Sequence, residues 1–447
     1  MCTQHDDPSS STSSSQPRST NDKKDQVEIP DWENIQLPPD HVLSHLTDAH
    51  CHPTDLTHKP EVYDQVKLGG LASMATIVGD QDKVRALSEE RGWYDTKQKG
   101  KGKEGKGVGV IACFGYHPWF THLYTLSDPS SHPSKEDHYF SLFSPKSQNH
   151  KDLLSQLIPF LPDPIPFEPL LQKSREDIQR SIEQGRMTML GEVGLDGSAR
   201  MRWPKAARHL HPDYKHDEDH QQKDDDEKSD DQEGKQEEEE WKRLTPFKVP
   251  MSHQRALLDR QLDLAVELGV NVSFHSVACA GPSLETLISM RDRHGIKFTN
   301  GINVDVHSAG GWSPDSWKQA ERNLLNLYAS PSIFITGRSP HASSLISTIS
   351  KDRLLVESDS HDVRLSDRLV WAATEWIARC KGWKLEGRDT PDGVAEWSIE
   401  DYGDEEDEEE EFDEKGRLKK NKDEGRDIWT VMTLERNWLR FMRCGNA

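Results

Sequence analysis

The sequence predicts a (β/α)8 TIM barrel interrupted by long disordered acidic insertions, on three observations. Eight short apolar runs recur, at residues 44–48, 74–78, 109–115, 187–192, 270–275, 301–306, 332–336 and 353–357. Several are followed by segments of helical periodicity, the alternation expected of parallel βα units. Histidines and carboxylates gather at the ends of these runs, where a parallel barrel opens its mouth. The chain has 447 residues against the roughly 250 that such a barrel needs, and 33% are hydrophobic. The excess length is therefore expected outside the core.

Residues 1–30, rich in Ser, Asp and Lys, read as a disordered tail without the apolar region of a signal peptide. The barrel is expected over 31–385, broken by insertions at 96–107, 126–169 and 205–242. The first is a Gly/Lys loop. The second, rich in Ser, Pro and His, reads as an extended loop with a helix or two. None of these is expected to bury much apolar surface. Residues 386–427 form a further acidic low-complexity insert, and 428–447 a C-terminal helix packing on the barrel. The clearest helix is Met251–Leu268, with Leu257, Leu258, Leu262, Ala265 and Leu268 on one face. Pro250 precedes it and Gly269 ends it. A second amphipathic run covers 366–380, with Ser366 as its expected N-cap.

The formal net charge is -22, but it is concentrated. Residues 213–240 carry 15 acidic and 4 basic side chains, and 400–414 carry 12 acidic and none basic. Without these two stretches the chain is close to neutral, so a phosphate-bearing substrate is not excluded. The six cysteines are scattered with no CxxC pair, which argues against a disulfide framework or a structural zinc cluster. No stretch approaches the roughly 18 apolar residues of a membrane span. Cytoplasm or nucleus is the expected compartment, with no membrane partner.

Run one ends in Asp48-Ala49-His50-Cys51-His52, run four in Gly191-Glu192-Val193-Gly194-Leu195-Asp196, and run five in His275-Ser276. Run six ends at His307-Ser308, and run eight in Glu357-Ser358-Asp359-Ser360-His361. Strand residues two apart share a face, so His50 and His52 can grip one cation. Imidazole and carboxylate donors suit zinc, manganese or iron. A glutamate such as Glu192 can bridge two cations, and such a pair can activate water. Asp359 could orient or deprotonate that water, or ligate. Glu357 and Asp305 are competing carboxylates.

In this order, DAHCH, FGYHPW, GEVGLD, a strand ending FHS, a strand ending VHS and LLVESDS resemble the TatD family. These are metal-dependent hydrolases of the amidohydrolase-like barrel superfamily. The resemblance implies two divalent ions, zinc, magnesium or manganese. It implies His50, His52 and Asp359 on the first, His275 and His307 on the second, and Glu192 between them. Glu192 and Asp359 would be catalytic. The implied activity is phosphoester hydrolysis, most of all a deoxyribonuclease using a two-metal-activated water, with DNA as substrate. The acidic insertions and the sequence Phe274-His275-Ser276-Val277 resemble a fungal branch described as interacting with an anaphase-promoting-complex subunit, which implies a protein partner.

Three flanks depart from the family pattern. Val277-Ala278 stand where Arg and an acidic residue are usual. Ser308-Ala309-Gly310-Gly311 replace Cys-Phe-Ser-Gly, and Ser360-His361 replace Ser/Ala-Pro. His117, Trp119, Trp312 and His361 are the candidate substrate contacts: His117 and Trp119 could line the cleft, Trp312 could stack on a base or sugar, and His361 could meet a phosphate. Asp196 could orient a ligand from behind. Two alternatives stay open: a catalytically weak adaptor that binds a cell-cycle partner, and an amide or lactone hydrolase on the same metals.

Overall fold

The computed structural model describes residues 27–94, 107–128, 131–211, 244–390 and 427–444. The insertion at 96–106, residues 212–242 and 391–426 of the acidic insertions, and the tail before Val27 lie outside the described residues, whereas Lys205–Leu210 forms a 3-10 turn that buries Ala207. Val27 and Ile29 pack against the barrel core.

Seven parallel strands form one sheet in sequence order. They are β1 (Thr47–Cys51), β2 (Gly70–Met74), β3 (Gly109–Phe114), β4 (Thr188–Asp196), β5 (Val272–Val277), β6 (Val304–His307) and β7 (Leu327–Ser330). All but the last residue of β5 are buried, as in a sheet covered on both faces. The expected eighth strand is an irregular segment instead, with one bridge, Ala329 to Leu354. It still closes the ring. Leu355 N–H donates to the Ala329 carbonyl at 2.9 Å, Ala49 N–H to Val356 at 3.0 Å, and Asp359 N–H to His50 at 3.0 Å. Its left-handed Asp359 (φ 53) breaks the pleat.

Two strands lie earlier in the chain than their hydropathy suggests. The second runs over Gly70–Met74 rather than 74–78, because the Trp93 ring takes the place of a side chain at Gly70, 1.8 Å from where a Cβ would stand. The seventh is Leu327–Ser330, and the apolar run at 332–336 leads into a 3-10 turn, Thr336–Arg338. Helix Met251–Leu268 forms as expected and ends at Gly269 with φ 66. Ser366 is the first residue of helix Ser366–Lys381, not its cap. Asp362 caps the preceding turn by accepting the Arg364 N–H at 3.0 Å.

The segment 126–169 holds two helices, Lys135–Phe143 and Gln148–Leu157, within the helix or two expected. Contrary to expectation, it also buries Tyr139, Leu154, Leu157 and Leu161. These pack under a short hairpin, Arg200–Arg202 with Leu244–Lys248, which contributes Met201 and Phe247. Three histidines tie the 3-10 turn Pro118–Leu123 to its surroundings. His122 bonds the Trp119 carbonyl at 3.0 Å, His138 the His122 carbonyl at 2.9 Å, and His253 the Thr121 carbonyl at 2.9 Å. Burial pushes the His122 imidazole down to about 4, with the Trp119 bond opposing. Unfolded, the ring takes its proton near pH 6.5. Its contribution is thus fully present above that pH and is lost as pH falls toward 4. Urea denaturation of wild type is expected to show this loss. His122→Gln should flatten it by on the order of 3 kcal/mol.

The C-terminal helix, Thr430–Met442, closes the end of the barrel opposite the mouth. Trp438, Phe441 and Met442 pack among Ala49, Met74, Trp93, Met189 and Tyr328. Glu386 belongs to this arrangement rather than to an acidic insert. It is buried, and its carboxylate accepts the N–H groups of Val431 and Met432 at 2.8 and 2.9 Å, at the positive end of the helix. Among the described residues no helix is long and apolar enough to cross a membrane.

Candidate metal centre

The ends of β1, β4, β5 and β6, the closing segment and the loop after β3 bring their polar side chains to one buried point. Glu192 is at its centre and its two oxygens face different partners. Oε2 lies 3.3 Å from His52 Nε2 and 3.8 Å from His50 Nε2. Oε1 lies 3.1 Å from His117 Nε2, 3.2 Å from His275 Nδ1 and 3.3 Å from His307 Nε2. Asp359 Oδ1 stands at the edge of the first set, 3.6 Å from His52 Nε2 and 3.9 Å from His50 Nε2.

Five imidazole nitrogens thus converge on one carboxylate. His50 and His52 Nε2 are 3.2 Å apart, and His275 Nδ1 is 3.1 Å from His307 Nε2. Facing nitrogens have no reason to meet unless a proton or a cation lies between them. Three buried sets, His50–His52–Glu192, His117–Glu192–His275 and His50–His307–Glu357, could each hold a metal ion. The donor set therefore fits divalent cations. Among the described residues the buried Nδ1 atoms of His52 and His307 have no hydrogen-bond partner.

Other groups aim these donors. His50 Nδ1 bonds Ser273 Oγ at 2.7 Å. His275 Nε2 lies 3.4 Å from Asp196 Oδ2. Asp196 in turn accepts from Ser198 and the Trp119 indole, and its own N–H is held by Gln254 at 2.8 Å. His117 Nδ1 accepts the Trp119 N–H at 3.1 Å. Such supports fix tautomer and ring orientation. The competing Glu357 faces inward: Oε1 accepts Ser308 N–H at 2.9 Å and Oε2 accepts the Ser330 hydroxyl. Ser330 Oγ also lies 2.7 Å from Asp305 Oδ2, and since its single proton serves one carboxylate, a protonated carboxyl donates the other bond.

The charges sort accordingly. Burial alone would raise Glu192, but the imidazoles of His117 and His52 and the bonds from His117 and His275 hold it well below the carboxylate range. Asp359 is likewise held low against burial by the His52 bond and the His50 and His307 rings. Burial would lower His52 and His275, yet their carboxylates raise both to about 9. Burial pushes His50 down to about 3 and His117 to about 4. Burial raises Asp48 and Asp305 to about 7 and Glu357 well above its usual value. Asp196 is also held low against its burial, by the His275 ring and the bonds from Ser198 and Trp119, so the anionic charge of the site rests on Glu192, Asp359 and Asp196.

The candidate substrate contacts divide. His117 lies inside the donor set rather than beyond it. Trp119 is half-buried over Asp196, and the Arg202 guanidinium covers its ring at 5.7 Å. His361 is exposed at the rim, its ring 5.3 Å from His52, and it pairs with Asp55 at 2.8 Å. Trp312 is not a substrate contact. It is buried, its indole donates to Ser276 Oγ at 3.1 Å, and it packs edge-on against Trp317. A tryptophan after a Gly-Gly turn can fold back under the rim, and this one braces the end of β5. Ser273 escaped the sequence reading, although it sits two residues before His275 on the same strand face.

Backbone strain collects here. Ala278, Ser308 and Asp359 have φ of 52, 44 and 53, each directly after or at a mouth segment. Gly194 allows a close approach: a Cβ there would lie 2.0 Å from the His275 carbonyl oxygen. Gly194→Ala is expected to displace His275 and reduce bound metal, as read by elemental analysis of the purified protein. Unchanged metal content would show that β4 and β5 can separate without cost to the site.

The family model described as TatD related DNase matches residues 47–389. The Cut9-interacting protein scn1 of Schizosaccharomyces pombe is 27% identical, over 77% of this chain and 95% of its own length. An uncharacterized deoxyribonuclease of Saccharomyces cerevisiae is 25% identical, over 54% of this chain and 59% of its own. The crystal structure of a TatD family hydrolase from Entamoeba histolytica overlaps with a TM-score of 0.41 at 10% identity, covering 90% of this chain and 88% of that one, a likeness too loose to bear on the site.

Proposed function

This chain belongs to the TatD-related DNase family, and from that premise we propose that it is a metal-dependent hydrolase of phosphoester bonds, with a DNA strand as its substrate. The observation that carries the reading is the division of Glu192, one oxygen toward His50 and His52, the other toward His117, His275 and His307. In this reading His50, His52 and Asp359 would hold one divalent ion, His275 and His307, joined by His117, would hold the second, and Glu192 would serve both. Zinc or manganese suits so many imidazoles best; magnesium suits them least. Two such ions supply Lewis acidity at the phosphoryl oxygens and lower the pKa of a water nucleophile.

The chain's own groups do the rest. Asp359, ionised and at the mouth, accepts the proton of the attacking water. Asp196 and Ser273 hold His275 and His50 in register. His361, at the exposed rim, contacts a phosphate oxygen. A panel of phosphodiester, phosphomonoester, amide and lactone substrates tests this reading after chelation and metal return. Phosphodiester turnover restored by metal supports it; preference for an amide or lactone replaces it.

A second reading rests on the relative named for interaction with Cut9, which aligns over 95% of its length. The barrel would then also serve as a platform for a protein partner. Partner capture that persists in Asp359→Ala would separate that role from hydrolysis.

A further inference from the structure

The hairpin beside the mouth carries a charge arrangement that its own fold does not explain. Arg200–Arg202 pairs antiparallel with Leu244–Lys248, and alternate residues face outward: Arg200 and Arg202 on one strand, Leu244, Pro246 and Lys248 on the other. Arg200 and Lys248 are direct cross-strand neighbours. Like charges opposite each other destabilise a strand pair. Among the described residues none of these three cations has a carboxylate partner. Arg200 donates to the Pro246 carbonyl at 3.1 Å, and Arg202 lies on the Trp119 ring.

The ribbon is coupled to the metal centre. Arg202 covers Trp119, the Trp119 indole donates to Asp196, and Asp196 faces His275. The buried face of the ribbon, Met201 and Phe247, is fixed in the satellite core, so the cations stand on a rigid support. The ladder shifts register between Arg200 and Arg202, the kind of bulge that re-aims side chains next to a functional site. This satellite is built from 135–161 and the hairpin, outside the barrel strands.

We propose that Arg200, Arg202 and Lys248 form a phosphate-binding track that receives the backbone of a nucleic-acid strand and delivers it to the mouth. The assignment rests on the phosphoester reading for its purpose, but not for its test. A polyanion would relieve the cross-strand repulsion, and three side-chain cations on its phosphates would contribute affinity without sequence preference.

The test is fluorescence anisotropy of a labelled single-stranded oligonucleotide with the full chain in chelator, titrated across salt concentrations. Each cation that meets a phosphate adds about 0.7 to the slope of log K against log salt. Arg200→Gln/Arg202→Gln/Lys248→Gln is expected to lower the slope by about 2 and affinity by about 100-fold near 0.1 M salt. A charge-reversal triple on the same residues should weaken binding further. Lys297→Glu/Lys318→Glu/Arg322→Glu, exposed and away from the hairpin, makes the same charge change and should leave the slope within about 0.5 of wild type. Circular dichroism melts establish that each variant is folded.

Equal slopes for wild type and the glutamine triple would overturn the proposal and leave the cations as counter-charges to the acidic stretch between the two strands. No binding by wild type, or equal losses in the hairpin and control triples, would overturn it too. Because binding is read without turnover, a chain that binds through the hairpin but never cleaves removes the hydrolase reading alone. A chain that cleaves, yet shows no hairpin dependence, removes this proposal alone.

Discussion

Glu192→Gln is expected to lower phosphodiester hydrolysis by at least about 100-fold, the order lost with one preorganised electrostatic group in an active site. The substitution keeps the shape and removes the charge on which five imidazoles converge. In the proposed arrangement it also removes the bridge, so bound metal should fall, as elemental analysis would show. The fold is expected to survive. Glu192 is among the groups that raise His52 and His275 to about 9. Without it both rings shift toward the neutral form instead of remaining as unpaired buried charges. Near-normal turnover in the folded variant would mean that Glu192 neither bridges nor polarises.

The largest effect on stability is expected from Phe441→Ala in the C-terminal helix. Phe441 is fully buried, meets Tyr328 edge-on with ring centroids 5.2 Å apart, and lies 5.6 Å from the Trp438 ring. Its carbonyl accepts from Asn271 at 2.6 Å and from Asn303 at 2.7 Å, joining the helix to the bottoms of β5 and β6. Truncating a fully buried phenylalanine costs about 3–5 kcal/mol when the cavity cannot collapse. A barrel floor walled by Met74, Met189 and Tyr328 has little room to do so. Chemical denaturation should show the midpoint falling at constant slope. A loss under about 1 kcal/mol would mean that the helix is not part of the barrel's cooperative unit.

Much of the centre could be read from spacing. His50 and His52 meet because a strand repeats every two residues, and Met251–Leu268 forms because its apolar face and its flanking Pro250 and Gly269 agree. Elsewhere the local pattern misled for definable reasons. Gly70 looks unlike a strand residue until the Trp93 ring fills its place, and that contact is long-range. The segment 126–169 looks too polar for a core, yet Tyr139, Leu154 and Leu157 need only one face. Glu386 is chemically like the acidic residues that follow it, and only the helix that begins at Thr430 distinguishes it. Trp312 could stack on a substrate or fold inward, and its partner Ser276 lies 36 residues away. His117 is flanked by Pro118 and aromatics, so its place among the donors depends on how the loop after β3 turns back over β4.

The most direct test of the central claim is nucleotide release from end-labelled single-stranded DNA by metal-stripped protein resupplied with zinc, manganese or magnesium, beside Asp359→Ala. Metal-dependent release by wild type that disappears in the folded variant is the predicted result. Equal release by the two proteins, or none from wild type with metal confirmed bound, would contradict it.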